Sequence, residues 1–247
     1  MTLKIGLNLI KNYSINFDTP ARNKKSIKFI LIHYTGMKNE KSAIKRLCDH
    51  KSKVSSHYFI KKNGTIINMV PDNYIAWHAG KSCWKNYKSL NKNSIGIEIS
   101  NPGHDHAYKN FSKQQIKSIL ILLKKLVKNY KIKAQNILGH SDVAPNRKKD
   151  PGEKFPWKML AKNRLSIWHN LKEKKIKNFR KIRSSSKDEK KFIKNLSKIG
   201  YCKLNIYSPL KNKKYVTEAF QRRFRQTLIN GIIDKECILI AKNLLKT

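Results

Sequence analysis

Acidic residues are scarce in this chain: 15 Asp and Glu stand against 55 Lys and Arg in 247 residues. Two of the acids share one loop, GHSDVAPNRKKDPG at 139–152, which opens on His140 and closes on Asp150. Far upstream, His33 ends the apolar run IKFILIHY. Two imidazoles and a carboxylate, at strand ends or in an adjacent loop, are the donor set of a three-ligand zinc site with one open position. That is the arrangement of catalytic rather than structural zinc. Spacing alone leaves a plainer alternative, because Asp150 follows Arg147, Lys148 and Lys149 and can be their counter-ion. Glu98, at the centre of SIGIEIS (94–100), either reaches solvent or serves beside a metal as the general base that activates water. Lys148 is either one more solvated lysine or a cation held to stabilise an oxyanion.

Such groups need rigid supports. Residues 27–34 read as a short buried strand ending near a glycine. Residues 39–51 carry Ala43, Ile44, Leu47 and Cys48 at helical spacing. In SSHYFIKKNGTIINMV two strand-like runs flank Asn63-Gly64, a hairpin signal because both turn positions tolerate positive φ. Residues 94–100 alternate, with Ile95, Ile97 and Ile99 on one face and Ser94, Gly96, Glu98 and Ser100 on the other. Ser112 and Gln115 form a capping-box pattern ahead of an apolar stripe of Ile116, Ile119, Leu120, Leu123, Leu126 and Val127. Residues 135–140 read as another short strand. This order predicts a mixed α/β sheet flanked by helices. After Trp168 the texture changes, and residues 171–190 are nearly all polar or charged. Three helical patterns follow, near 188–199, 215–229 and 234–246. The division expected is 1–175, a basic linker at 176–187, and a small all-α domain at 188–247, with residues 1–175 able to fold by themselves.

At 39% hydrophobic and 28% charged residues the chain has the composition of a soluble, globular protein with a core. The net charge of +40 has two readings. It suits a polyanion binder, or it follows from a codon bias that also enriches Asn and Ile. Lys far outnumbers Arg, whereas bidentate base recognition favours Arg, and the lysines are spread along the whole chain. No nucleic-acid partner is therefore expected. None of Cys48, Cys83, Cys202 and Cys237 lies in a C-x-x-C pair, and buried free thiols are expected. The start, MTLKIGLNLIKNYSINFD, lacks the apolar region and cleavage site of a signal peptide. The longest apolar run, 116–127, is broken by lysines and is no membrane span.

The residues also resemble a known family, the type-2 N-acetylmuramoyl-L-alanine amidases, zinc enzymes related to peptidoglycan recognition proteins and phage T7 lysozyme. The resemblance rests on FILIHYTG (29–36), VSSHYFIKKNGTI (54–66), AWHAGKSCW (76–84), LNKNSIGIEIS (90–100) and GHSDVAPNRKKDPG (139–152), in the family's order. It implies one Zn2+ per chain held by His33, His140 and Asp150, with Glu98 as the catalytic glutamate and Lys148 as the oxyanion-stabilising lysine. The implied reaction cleaves the lactyl–L-alanine amide between N-acetylmuramic acid, or its anhydro form, and the stem peptide of peptidoglycan. Residues 215–245, with AFQRRF followed by G-x-x-D, resemble a three-helix peptidoglycan-binding module. The Arg-rich segment leaves a nucleic-acid face as the alternative, and a non-catalytic peptidoglycan binder is the other rival. Two-domain relatives of this kind act in the cell envelope, periplasm or outside the cell, whereas the lack of a visible signal peptide favours the cytoplasm. The sequence leaves the oligomeric state unknown. Tyr34, His57, Trp77, His78 and Arg147 are the expected substrate contacts, with His57 and His78 equally suited to supporting the ligands. His50, His104, His106 and His169 are expected at the surface, Trp157 and Trp168 as packing anchors, and Asp142 as a loop cap.

Overall fold

A computed structural model of the protein describes residues 9–11, 14–203 and 209–246. Most of the N-terminal stretch read for a signal peptide (1–8, 12 and 13) lies outside them. Two compact units are present, Met1–Gly80 with Asn91–Ile137 and Lys81–Leu90 with Leu138–Thr247.

The sheet has six strands: β1 (Leu9–Lys11), β3 (Phe29–Tyr34), β4 (Tyr58–Ile60), β5 (Ile66–Asn68), β9 (Ser94–Ile99) and β10 (Ile137–Gly139). Their order is β1-β5-β4-β9-β3-β10. β9 runs parallel to both β3 and β4, while β4 and β5 form the antiparallel hairpin around Asn63-Gly64. Gly64 takes the left-handed conformation, φ +85°, that the turn requires. A two-stranded ribbon pairs β2 (Phe17–Asp18) with β6 (Ile75–Ala76) in this unit. Ser94 to Ile97 and Ile99 are buried, and only Glu98 of this strand is half-exposed. The expected polar face is thus covered, as is usual for strands in parallel pairing.

Helix α1 (Glu40–Cys48) buries Ala43 and Leu47 in a cluster with Phe59, Ile67 and Met69. Helix α2 (Lys113–Tyr130) starts at the expected capping box, with Ser112 as N-cap and Gln115 reciprocating. Its buried apolar residues are Ile119, Leu122, Leu123 and Leu126, so the stripe is centred one step away from the one expected, with Leu122 in place of Leu120. The Ser112 hydroxyl donates to Lys62 C=O (2.7 Å) and that of Ser118 to Gly64 C=O (2.6 Å), which anchors α2 to the hairpin turn.

The second unit holds a small hairpin, β7 (Cys83–Trp84) with β8 (Tyr87–Lys88), and helices α3 (His140–Val143), α4 (Trp157–Lys162), α5 (Glu173–Ile176), α6 (Ser186–Ile199), α7 (Pro209–Phe224) and α8 (Lys235–Leu244). The helices share a core that includes Phe192 against Phe220 (5.2 Å between centroids) and Phe220 against Phe224 (5.2 Å). The stretch expected as a linker packs here instead. Ile176 is buried, Arg180 pairs with Glu236, and Lys235 N–H donates to Ile182 C=O (3.1 Å). Arg222, Arg223 and Arg225 are all buried in ion pairs, with Glu218, Asp142 and Asp234 respectively. They form no exposed nucleic-acid face.

The cysteines depart from expectation. Cys83 and Cys202 form a disulfide across 119 positions, while Cys48 and Cys237 are free thiols, half-buried and buried. Trp84 and Tyr201, next to the bridge, pack edge to face at 4.8 Å. Gly200 lies where an added Cβ would sit 2.4 Å from the Trp84 ring, so a side chain is excluded there. Among the described residues no helix is long and apolar enough to cross a membrane.

Candidate metal centre

In the first unit the β3–β9 ladder sets His33 directly opposite Glu98. Directly opposed residues on neighbouring strands point to the same side of the sheet, so an imidazole and a carboxylate share one face. His33 is buried, and its Nε2 lies 3.1 Å from Nδ1 of His78. His78 Nε2 is in turn 3.2 Å from Ser94 Oγ on β9. The ring of His78 can lie there because position 96 is glycine: an added Cβ would come within 2.5 Å of the His78 Cγ. The alternating strand therefore carries its smallest residue where an imidazole crosses it.

His57 is fully buried. Its Nδ1 accepts from Gly96 N–H (3.0 Å), and its Nε2 lies 3.1 Å from Tyr74 C=O and 2.9 Å from Arg22 Nη2. Burial, with the Arg22 charge adding to it, holds its pKa well below the ordinary 6.5. His57 is thus a neutral brace behind β9, not the expected substrate contact. Arg22, which the sequence did not single out, also donates to Asp72 C=O and Asn91 C=O. Burial lowers its pKa to about 10, with Asp72 opposing the shift, and it remains charged at neutral pH.

In the second unit α3 opens on His140, so this residue starts a helical turn rather than ending the strand. His140 and Asp150 are both buried, and Nδ1 of the imidazole lies 3.0 Å from Oδ2 of the carboxylate. Ser141 N–H donates to the backbone carbonyl of Asp150 (2.9 Å), and Lys148 N–H donates to Ala144 C=O (3.1 Å), which folds the loop back on itself. The carboxylate of Asp142 caps Gly139 N–H (2.8 Å), as the sequence suggested. Arg147 is exposed and donates from Nε and Nη2 to Lys81 C=O (3.1 and 2.7 Å). Lys148 is half-buried.

Among the described residues, His33, His140 and Asp150 make up a group of buried ligand-type side chains able to hold a metal ion. The donor chemistry fits zinc, which takes imidazole nitrogen and carboxylate oxygen at about 2.0–2.2 Å. Two such ligands at a tetrahedral corner stand about 3.3 Å apart, close to the 3.0 Å between His140 and Asp150.

The remaining expected contacts are more dispersed. Tyr34 is half-buried, with its hydroxyl 2.8 Å from His104 Nδ1. His104 stacks on Tyr108 (4.5 Å), so it is half-buried among aromatics and not the surface residue expected. Trp77 is half-buried and its indole N–H donates to Asp18 (2.7 Å). His169 is buried rather than exposed and stacks on the half-buried Trp168 (5.2 Å); burial lowers its pKa. Trp157 is a buried anchor, as expected, while His50 and His106 are at the surface. Sequence reasoning missed Arg22, the contact of Ser94 with His78, and the partners of Asp142 in the C-terminal segment, Tyr201 and Arg223. Gly96 was visible in its strand, but nothing local marked it as the seat of a histidine.

Residues 23–153 match the family model described as N-acetylmuramoyl-L-alanine amidase. The chain is 34% identical over 232 residues to the N-acetylmuramoyl-L-alanine amidase AmiD of Escherichia coli, covering 89% of this chain and 83% of that one. It is 40% identical over 106 residues to the 1,6-anhydro-N-acetylmuramyl-L-alanine amidase AmpD of the same organism, covering 42% of this chain and 55% of AmpD. The solved complex of E. coli AmiD with anhydro-N-acetylmuramic acid-L-Ala-D-γ-Glu-L-Lys superposes with a TM-score of 0.78 at 32% identity, covering 93% of this chain and 91% of that one. AmpDh3 of Pseudomonas aeruginosa in complex with an anhydromuramic pentapeptide gives a TM-score of 0.78 at 27% identity, covering 93% and 95%.

Proposed function

The chain belongs to the N-acetylmuramoyl-L-alanine amidase family, and on that premise we propose that it hydrolyses the amide joining the lactyl group of N-acetylmuramic acid, or of its anhydro form, to L-alanine of the stem peptide. The observation that carries this reading is that the matched residues 23–153 contain all five chemical groups the reaction requires. Its substrates are peptidoglycan fragments, as the AmiD and AmpDh3 complexes suggest by their bound muropeptides. Residues 1–175 carry the chemistry, and the helical segment 188–247 contributes wall binding.

His33, His140 and Asp150 would hold one Zn2+. A zinc ion held there would supply Lewis acidity, making water a better nucleophile near neutral pH and the scissile carbonyl more electrophilic. Glu98 takes the proton from the attacking water as its oxygen bonds to the carbonyl carbon. It then delivers that proton to the nitrogen of L-alanine as the C–N bond breaks, so acid and amine are released with one water consumed. The ammonium of Lys148 offsets the negative charge that develops on the carbonyl oxygen. His78 and Ser94 brace the His33 ring, a role whose loss typically costs metal-site proteins about 10- to 100-fold in metal affinity or activity.

Two variants test the assignment. Glu98→Ala is expected to keep stoichiometric zinc and to lose about two to four decades in kcat, and wild-type turnover by this variant would remove Glu98 from the mechanism. His33→Ala is expected to lose zinc by elemental analysis, and full zinc content in that variant would refute its place among the ligands.

A further inference from the structure

The strongest structure outside the five chemical groups surrounds Asp142, two residues after His140. Its side chain is almost fully buried and receives three donors. Oδ2 accepts from Gly139 N–H (2.8 Å) and from Nη1 of Arg223 on α7 (2.7 Å), and Oδ1 accepts from the hydroxyl of Tyr201 (2.6 Å). Gly139 and Asp142 flank His140, so this carboxylate closes the turn from which His140 projects. The same turn is tied to the second ligand by Ser141 N–H on the carbonyl of Asp150.

Both side-chain donors are themselves fixed. The Arg223 guanidinium lies over the Trp157 ring at 4.7 Å and beside the Phe224 ring at 5.0 Å, with Nη2 3.4 Å from Ser166 Oγ. Trp157 in turn packs against Gly139, where an added Cβ would meet the indole at 3.3 Å and Cδ of Pro151 at 2.8 Å. Tyr201 is wedged edge to face on Trp84 and is followed at once by Cys202, which is bonded to Cys83. Neither donor approaches Asp142 from a mobile surface position.

We infer that Arg223 and Tyr201 are positioning residues: the C-terminal helical segment sets the placement of His140 and Asp150, and hence zinc affinity, through Asp142. This rests on the reading of His140 and Asp150 as zinc ligands. A buried carboxylate with three charge-assisted or short hydrogen bonds has little freedom, and ligand placement in such sites must hold to about 0.5 Å. Arginine suits the task better than lysine because its planar fork holds the carboxylate while its face stacks on an indole.

The test uses the full-length protein and its Arg223→Lys and Tyr201→Phe variants. Zinc affinity is measured by competition with a chelating indicator, the visible absorption spectrum of the Co2+-substituted protein reports ligand geometry, and the melting temperature without metal reports the fold. Arg223→Lys is expected to bind zinc about 10- to 100-fold more weakly and Tyr201→Phe about tenfold more weakly, with altered Co2+ bands in both. Tyr201→Phe removes one hydroxyl from a packed ring, so its affinity is readable even where Arg223→Lys folds poorly. A role confined to stability would lower the melting temperature and leave zinc affinity and spectrum unchanged in the folded fraction. That result in both variants overturns the inference alone. A wild-type protein that binds no zinc overturns the reading of the metal centre and this inference with it.

Discussion

Gly96→Ala should damage the protein out of proportion to one methyl group. The added Cβ would lie 2.5 Å from Cγ of His78, and ordinary contact begins near 3.4 Å, so the ring must retreat by about 0.9 Å. A retreat of that size breaks the 3.1 Å contact to His33 or the 3.2 Å contact to Ser94. Overpacking of a filled interior costs about 1–3 kcal/mol, and a buried polar group left without its partner about 1–3 kcal/mol more. The sum, about 2–6 kcal/mol, corresponds to a fall in Tm of roughly 4–24 °C for a chain of this size. Thermal melts followed by circular dichroism read the effect, and zinc stoichiometry on the same samples reads its consequence for His33. Pairing the change with His78→Ala makes room for the methyl, so the double variant should be more stable than the sum of the singles predicts, by about 0.5–3 kcal/mol. If Gly96→Ala melts within about 2 °C of the wild type, the argument that this glycine exists to seat His78 is wrong.

Other expectations concern the braces around the site. Replacing Cys83 and Cys202 by serine opens a loop of 119 positions, which should cost about 2–5 kcal/mol and lower Tm by roughly 4–20 °C. Dithiothreitol should do the same to the wild type and nothing to the variant. His57 titrates well below 6.5 in the folded protein because of burial and the Arg22 charge. The unfolded chain therefore takes up a proton that the native state refuses, and the stabilisation is complete above pH 6.5 and lost as pH falls below it. The slope is at most about 1.4 kcal/mol per pH unit for this group. Urea titrations between pH 7.5 and 5 should show a flatter dependence for His57→Gln than for the wild type, and parallel curves would remove His57 as a contributor.

What the sequence made legible was local. The β4–β5 hairpin announced itself through Asn63-Gly64, α2 through its capping box, and β3 and β9 through short β-branched runs, because neighbours in sequence decide each of these. The helix α7 begins six residues before the expected start, at Pro209, a residue whose missing N–H is harmless in a first helical turn. Contacts across long separations were illegible. Nothing near Cys83 points to Cys202, and nothing near Asp142 points to Tyr201 or Arg223, 59 and 81 positions away. The basic stretch 176–187 looked like a linker because its few apolar and acid-pairing residues, Ile176, Arg180 and Ile182, are diluted by lysines. The site followed the same division: residue types and motif order pointed to His33, His140, Asp150, Glu98 and Lys148, while the packing that separates a brace such as His57 from a substrate contact exists only in three dimensions.

Zinc-dependent cleavage at a single bond is read by mass spectrometry of the products from a defined anhydro-muropeptide. Two products are expected, the free stem peptide beginning at L-alanine and the anhydro-N-acetylmuramic acid with its lactyl carboxyl released. Treatment with a chelator should abolish both products, and added Zn2+ should restore them. Intact substrate in the presence of zinc, or cleavage at another bond, or full turnover after the metal has been removed, would contradict it.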